Sequence, residues 1–354
     1  MLSKTKKELL MLLISERQST YPLALLLSSG GKKTCAALGR EFNQSGDSII
    51  RLLEHNAVTT HELIEFAKSI FTNKEIYVVL DDTLIEKRYS KAVEGTSDNR
   101  DHSNGQVYRS LCSIVAMATD GKHGIAIDHE LWASREIAQG NYKTKSELAQ
   151  VLIESVIEKI SIKMVIMDGL YATESLISWL NTKNIFFEMR FHANRRLTSD
   201  TEKSFIIRYC AELALKRRRS SATISAYWKG IPLFFTSVKR KTNHGNIILY
   251  QVSNYSTARH KLLYSYRWNI EMFFRTAKQH LGLGNCQSRK LKLQKNHLTN
   301  VFFAYALLQA KSIKQKLLNP ETALHRFKRS ICLQATTPLP AAYQIFHHFE
   351  AIYA

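Results

Sequence analysis

The sequence predicts an α/β fold: a mixed sheet flanked by helices, with a helical N-terminal domain and a β-rich insertion. Three observations lead there. Two apolar, β-branched runs, "EIYVVLDDT" and "IKMVIMDGLYA", each end in acid and read as buried strands. Between them "TKSELAQVLIESVIEKI" sets Leu148, Leu152, Val156 and Ile160 on one helical face, with Thr144 or Ser146 as cap. Beyond Arg190, β-patterned segments broken by "KG", "KRK" and "NHG" replace that alternation.

In chain order, residues 1–72 read as helical. The opening "MLSKTKKELLMLLISERQ" starts basic and turns apolar, but Glu16 cuts the run and no small-residue cleavage site follows, so it predicts an amphipathic helix and not a signal peptide. "TCAALGREFNQSGDSIIRLLEHN" has the outline of a helix-turn-helix, with Ala36, Ala37 and Phe42 packing the first helix and Ile49, Ile50 and Leu53 the second. An ordinary helical hairpin has the same outline. Residues 73–192 form the first part of the core. They comprise the first strand, a loop from Glu86 to Gln106, two strands joined at Asp120-Gly121, the helix, and the strand ending in Asp168. A further helix, "TESLISWLN", and strand, "IFFEMRF", complete that part. The β-rich insertion covers 193–256, a helix runs from near Thr257 through Glu271 to about Leu318, and 319–354 is a tail.

The 354 residues carry a formal net charge of +20, which implies a polyanionic partner, nucleic acid first. No apolar run approaches the roughly 20 residues of a bilayer span, so a membrane partner is not expected. The five cysteines, Cys35, Cys112, Cys210, Cys286 and Cys332, form no CxxC pair. They predict free thiols in a reducing cytoplasm. His347 and His348 have no ligand-spaced Cys or His beside them.

The distribution of acids is uneven. From Leu213 to Pro320 Glu271 is alone among twenty Lys and Arg. Asp82, or its neighbour Asp81, ends the first strand, and Asp168 ends a later one. Side by side and parallel, those ends would lie roughly 4.8 Å apart, and a helix over that edge could add Glu271. Three carboxylates can hold two hard cations, which suits phosphodiester chemistry. Singly, each acid has a plainer reading: a cap, a turn, or an ion pair of Glu271 with Arg267 and Arg275. Successive strand residues face opposite sides, so periodicity does not choose between Asp81 and Asp82.

Tyr264, Arg267, Glu271 and Lys278 fit the spacing Y-(2)-R-(3)-E-(6)-K. With "DDT" at 81–83, Asp-Gly-x-Tyr at 168–171 and the β-rich insertion, the sequence resembles the DDE transposases of bacterial insertion sequences, the cut-and-paste group with the YREK signature. The resemblance spans about residues 74 to 310. It implies a ribonuclease-H-like catalytic core and Mg²⁺ as two ions, with Mn²⁺ able to substitute. The catalytic, metal-holding acids would be Asp82, which directly precedes Thr83, with Asp168 and Glu271. It further implies contact of Tyr264, Arg267 and Lys278 with double-stranded DNA at the transposon end.

Arg275 shares the helical stripe of those residues and offers another phosphate contact. In some relatives an aromatic of the insertion stacks a flipped base, which points to Tyr227 or Trp228. The basic runs Lys216 to Arg219, Lys239 to Lys241 and Arg289 to Lys295 would track the DNA backbone. The expected activity is cleavage and transfer of DNA strands at terminal inverted repeats by an assembly at least dimeric, since two ends must meet. The rival readings are a catalytically silent repressor descended from such an enzyme and a plain nuclease.

Overall fold

The computed structural model describes residues 16–332, save 91, 102, 103, 200, 202, 210, 213–219, 244 and 318. Among the described residues four helices come first: α1 (Glu16–Leu27), α2 (Cys35–Glu41), α3 (Gly46–His55) and α4 (Thr60–Ile70). The last three begin on hydroxyl caps, Thr34, Ser45 and Thr59, which accept from the amides of Ala37, Ser48 and Glu62. These caps satisfy amides that a first helical turn leaves open. Leu38, Ile49 and Leu53 are buried between the helices, whereas Ala36 and Ile50 are exposed, unlike the expected packing. Gly39 permits the close approach of α2 to the turn: a Cβ there would lie 2.7 Å from the Gln44 carbonyl oxygen.

The core follows as β1 (Tyr77–Glu86), β2 (Ser97–Arg100), β3 (Val107–Thr119), β4 (Gly124–Trp132), α5 (Lys145–Ile157), β5 (Met164–Met167), α6 (Glu174–Thr182) and β6 (Phe187–Phe191). β1 runs antiparallel to β3 and parallel to β5, and β5 runs parallel to β6. The stretch expected as a loop from Glu86 to Gln106 contains β2, whose polar residues pair with the start of β3. The Asp120-Gly121 hairpin forms as expected. Gly121, at φ +90, lies so close to the Tyr266 ring that a Cβ would come within 2.7 Å of it. Thr144 caps α5 in a reciprocal pair with Glu147.

The insertion supplies β7 (Arg196–Thr198), β8 (Ser204–Ile206), β9 (Ser221–Trp228), β10 (Ile231–Thr242) and β11 (Gly245–Ser253). It does not stand apart. β11 pairs antiparallel with β6, so one sheet runs β2-β3-β1-β5-β6-β11-β10-β9-β7-β8, with β4 on β3.

The helical stretch expected from near Thr257 to about Leu318 is divided into α7 (His260–Ser265), α8 (Trp268–His280) and α9 (Leu291–Lys314), and the stretch expected as a tail from 319 opens with a further helix, α10 (Pro320–Cys332). Gly282, at φ +71, ends α8 by letting the amides of Leu281 and Leu283 both reach the Ala277 carbonyl. α9 is buried along most of its length and packs on β4, α1, α3, α4 and α10. Its His297 accepts from the Tyr21 hydroxyl at 2.9 Å and donates to the Gly282 carbonyl at 2.9 Å. Burial pushes His297 down to about 4, so it holds this post as a neutral ring. No helix among the described residues is long and apolar enough to cross a membrane.

Candidate active site

The site begins with a register. The parallel pairing of β1 with β5 ends at Leu80 opposite Met167, so the next residues, Asp81 and Asp168, are neighbours across the ladder. Aligned residues of adjacent strands share a face, and successive ones alternate. Asp81 therefore faces with Asp168, and Asp82 faces the other way.

α7 and α8 bring the remaining groups to the Asp81 face. The Tyr264 hydroxyl donates to Asp168 Oδ1 at 3.2 Å. Arg267, at the head of α8, divides its guanidinium: Nη1 donates to Asp81 Oδ2, and Nη2 to Glu271 Oε1 at 2.6 Å. The side chains of Arg267 and Asp81 keep only 18% and 16% of their surface, and Glu271 keeps 36%. Burial pushes the Asp81 carboxyl up to about 7; Asp82 and Asp168 push the same way, and Arg267 opposes them. Burial also raises Tyr264, which stays a donor.

On the opposite face Asp82 Oδ2 accepts from Lys145 Nζ at 2.7 Å and from the Cys112 thiol at 3.7 Å. Lys145 opens α5, and its ammonium lies 5.6 Å from the Trp132 ring centroid. Burial works against that charge, but the Asp82 carboxylate to which it donates opposes burial, and the pKa of Lys145 is raised. Burial pushes the Cys112 thiol up to about 12, so it remains protonated.

Among the described residues, no three His, Cys, Asp or Glu side chains are gathered closely enough to cage a metal ion. The arrangement explains why: one guanidinium stands between Asp81 and Glu271. The donors are nonetheless hard oxygens around a point that already holds positive charge, which is the chemistry a divalent cation requires.

The other expected DNA contacts are dispersed. Tyr264 and Arg267 lie on either side of a break between α7 and α8, not on one continuous helix. Arg275 Nε donates to Glu321 on α10 at 3.0 Å. Lys278 is exposed, within electrostatic range of Asp101, Glu86 and Asp82. Trp228 keeps 4% of its surface: it packs edge-on to Phe191 at 5.4 Å, under the Arg195 guanidinium at 4.8 Å. It has no free face for a base; Tyr227 is half-buried.

Beside Glu271, Trp268 is an aromatic that does stand out: it is 59% exposed and one turn before the glutamate. Its position directly after Arg267 was the available signal. Nothing local marked Lys145. Lys239, Arg240 and Lys241 are exposed on β10, as are Arg289, Lys290 and Lys292 around the start of α9. Lys216 to Arg219, His347 and His348 lie outside the described residues.

Residues 73–307 match the family described as the Transposase DDE domain. A comparison with curated proteins finds no match. The matched span covers more than half of the chain and runs from just before β1 into α9. It takes in both aspartate-ended strands, the insertion and the glutamate helix. The chain belongs to the DDE transposase family.

Proposed function

We propose that the chain is the DNA transposase of a bacterial insertion sequence, of the YREK group, which binds its terminal inverted repeats, cleaves DNA there and joins the freed ends to a target. The observation that carries this reading is the β1–β5 register, which sets Asp81 beside Asp168 under a helix bearing Glu271. Asp81, Asp168 and Glu271 would hold the divalent ions; Asp82, the ligand implied by the family pattern, faces Lys145 instead. Mg²⁺, or Mn²⁺ in its place, supplies Lewis-acid activation of an attacking oxygen and charge stabilisation of a leaving one.

The chain's own residues do the rest. Tyr264 orients Asp168 through its hydroxyl. Arg267, once released from the carboxylates, meets a backbone phosphate as a fork of donors. Lys278 and the exposed cations of β10 and the start of α9 hold the duplex by its phosphates. Trp268 offers an indole face to a base beside the cut. Two ends joined in one event require at least two protomers.

The test uses DNA carrying the element's own flanking ends, with binding and Mg²⁺-dependent cleavage measured together. Glu271→Gln and Asp81→Asn should keep end binding and lose cleavage by at least ~100-fold, with Asp82→Asn losing less. The reverse order of the two aspartates returns the ligand role to Asp82. Cleavage by Glu271→Gln at the wild-type rate removes the glutamate from the mechanism. A silent, DNA-binding repressor is the second reading, favoured by the guanidinium lodged between the acids; end binding by the wild-type chain without cleavage selects it.

A further inference from the structure

Tyr171 closes the single 3-10 turn that follows Asp168, its amide bonded to the Asp168 carbonyl at 3.1 Å. Its side chain is fully buried, and its hydroxyl has no hydrogen-bond partner. The turn is held against the start of α5, where Thr173 donates to Ser146 at 3.2 Å, next in the chain to the Lys145 that meets Asp82. An unpaired buried hydroxyl costs stability, which phenylalanine would avoid with the same ring. Asp82 is an acceptor with room. Lys145 and Cys112 both address Oδ2 of Asp82, and among the described residues Oδ1 accepts nothing.

Resting on the metal-holding reading above, we propose that Tyr171 is a positioning residue. Its hydroxyl donates to Asp82 Oδ1 when a divalent ion draws Asp81 and Asp168 together. The geometry supplies the linkage. Tyr171 and Asp168 share one short turn, and Asp82 and Asp81 are consecutive on β1, so closing one pair closes the other. Bonded through both oxygens, Asp82 can no longer swing, and the end of β1 is held with Asp81 on the metal side. The hydroxyl is thus unsatisfied in the metal-free protein and satisfied in the loaded one, as expected of a group kept for the site and not for the fold.

The experiment titrates Mn²⁺ alone into the DNA-free full chain, comparing wild type with Tyr171→Phe. Calorimetry gives the dissociation constant, and thermal unfolding the apo midpoint. The apo midpoint of the variant should equal or exceed that of wild type, while its Mn²⁺ dissociation constant rises about 10-fold, the effect of one hydrogen bond to a charged group. In an Asp82→Asn background the same change should add far less. Equal Mn²⁺ affinity in wild type and Tyr171→Phe overturns the inference, as does a lowered apo midpoint, which would mean that the hydroxyl is already bonded in the fold. A full 10-fold loss persisting beside Asp82→Asn also overturns it, because the partner is then another group. Absence of Mn²⁺ binding by wild type instead defeats the metal-holding reading itself.

Discussion

Replacing Arg267 with glutamine should let the site take divalent ions more readily than the wild-type chain does. The guanidinium holds two carboxylates, and the two arms differ in worth. Arg267 and Asp81 keep 18% and 16% of their side-chain surface. Breaking a fully buried pair costs ~3–5 kcal/mol, and the water that still reaches this one brings the figure to about 2–3. Glu271 keeps 36%, and its arm adds less than about 1 kcal/mol.

At pH 8, where Asp81 is ionised, the urea midpoint of metal-free Arg267→Gln should fall by roughly 1 M for a denaturant slope of ~2–3 kcal/mol/M. An ion entering the wild-type site must first displace that guanidinium; in the variant it need not. The same 2–3 kcal/mol therefore appears as a metal dissociation constant roughly 30–150-fold lower in Arg267→Gln than in wild type. Mg²⁺ at ~100 times that constant adds about 2.7 kcal/mol, enough to restore the lost midpoint. Denaturation with and without Mg²⁺, in the absence of DNA, measures both quantities. Equal metal affinities, or an unchanged midpoint in the metal-free variant, would refute the idea that this side chain occupies the ion's place.

Other expectations concern different parts of the molecule. Asp81, raised to about 7 mainly by burial, contributes stability that is present below the unfolded value of about 4 and lost as pH rises through 7. Metal-free Asp81→Asn should therefore gain on wild type between pH 4 and 8, and parallel urea-midpoint curves would contradict this. Trp228→Ala should cost ~3–5 kcal/mol of stability as a core truncation. Trp268→Ala should stay within ~0.5 kcal/mol of wild type yet weaken end-DNA binding by ~1–3 kcal/mol; equal stability losses would remove the contrast. Changing Lys239, Arg240 and Lys241 together to Ala should flatten the slope of log K against log salt by up to about 2.7. An unaltered slope would take β10 out of the DNA path.

The local pattern of the chain settled a good part of this. β-branched runs ending in acid became β1 and β5 because such segments bury their side chains on both faces. Thr144 with Glu147 capped α5 because a hydroxyl and a carboxylate at that spacing satisfy each other's backbone. The isolation of Glu271 among cations was visible in composition alone. β2 escaped notice because its polar residues carry no strand periodicity and pair only because the start of β3 is there.

What only the tertiary structure decided were matters of register and approach. Asp81 and Asp82 are equivalent to any period-two reading. The offset between β1 and β5 put the first beside Asp168 and the second against Lys145, more than sixty residues away in the chain. The burial of Trp228 came from β6 and from the extension of the sheet through β11, which no local signal announces. The division of the last helices came from Gly282 and from the turn at Arg267, which lets one side chain reach back to β1 while its helix carries Glu271. Periodicity reports which residues prefer an interior, but the choice of neighbour is a property of the whole packed chain.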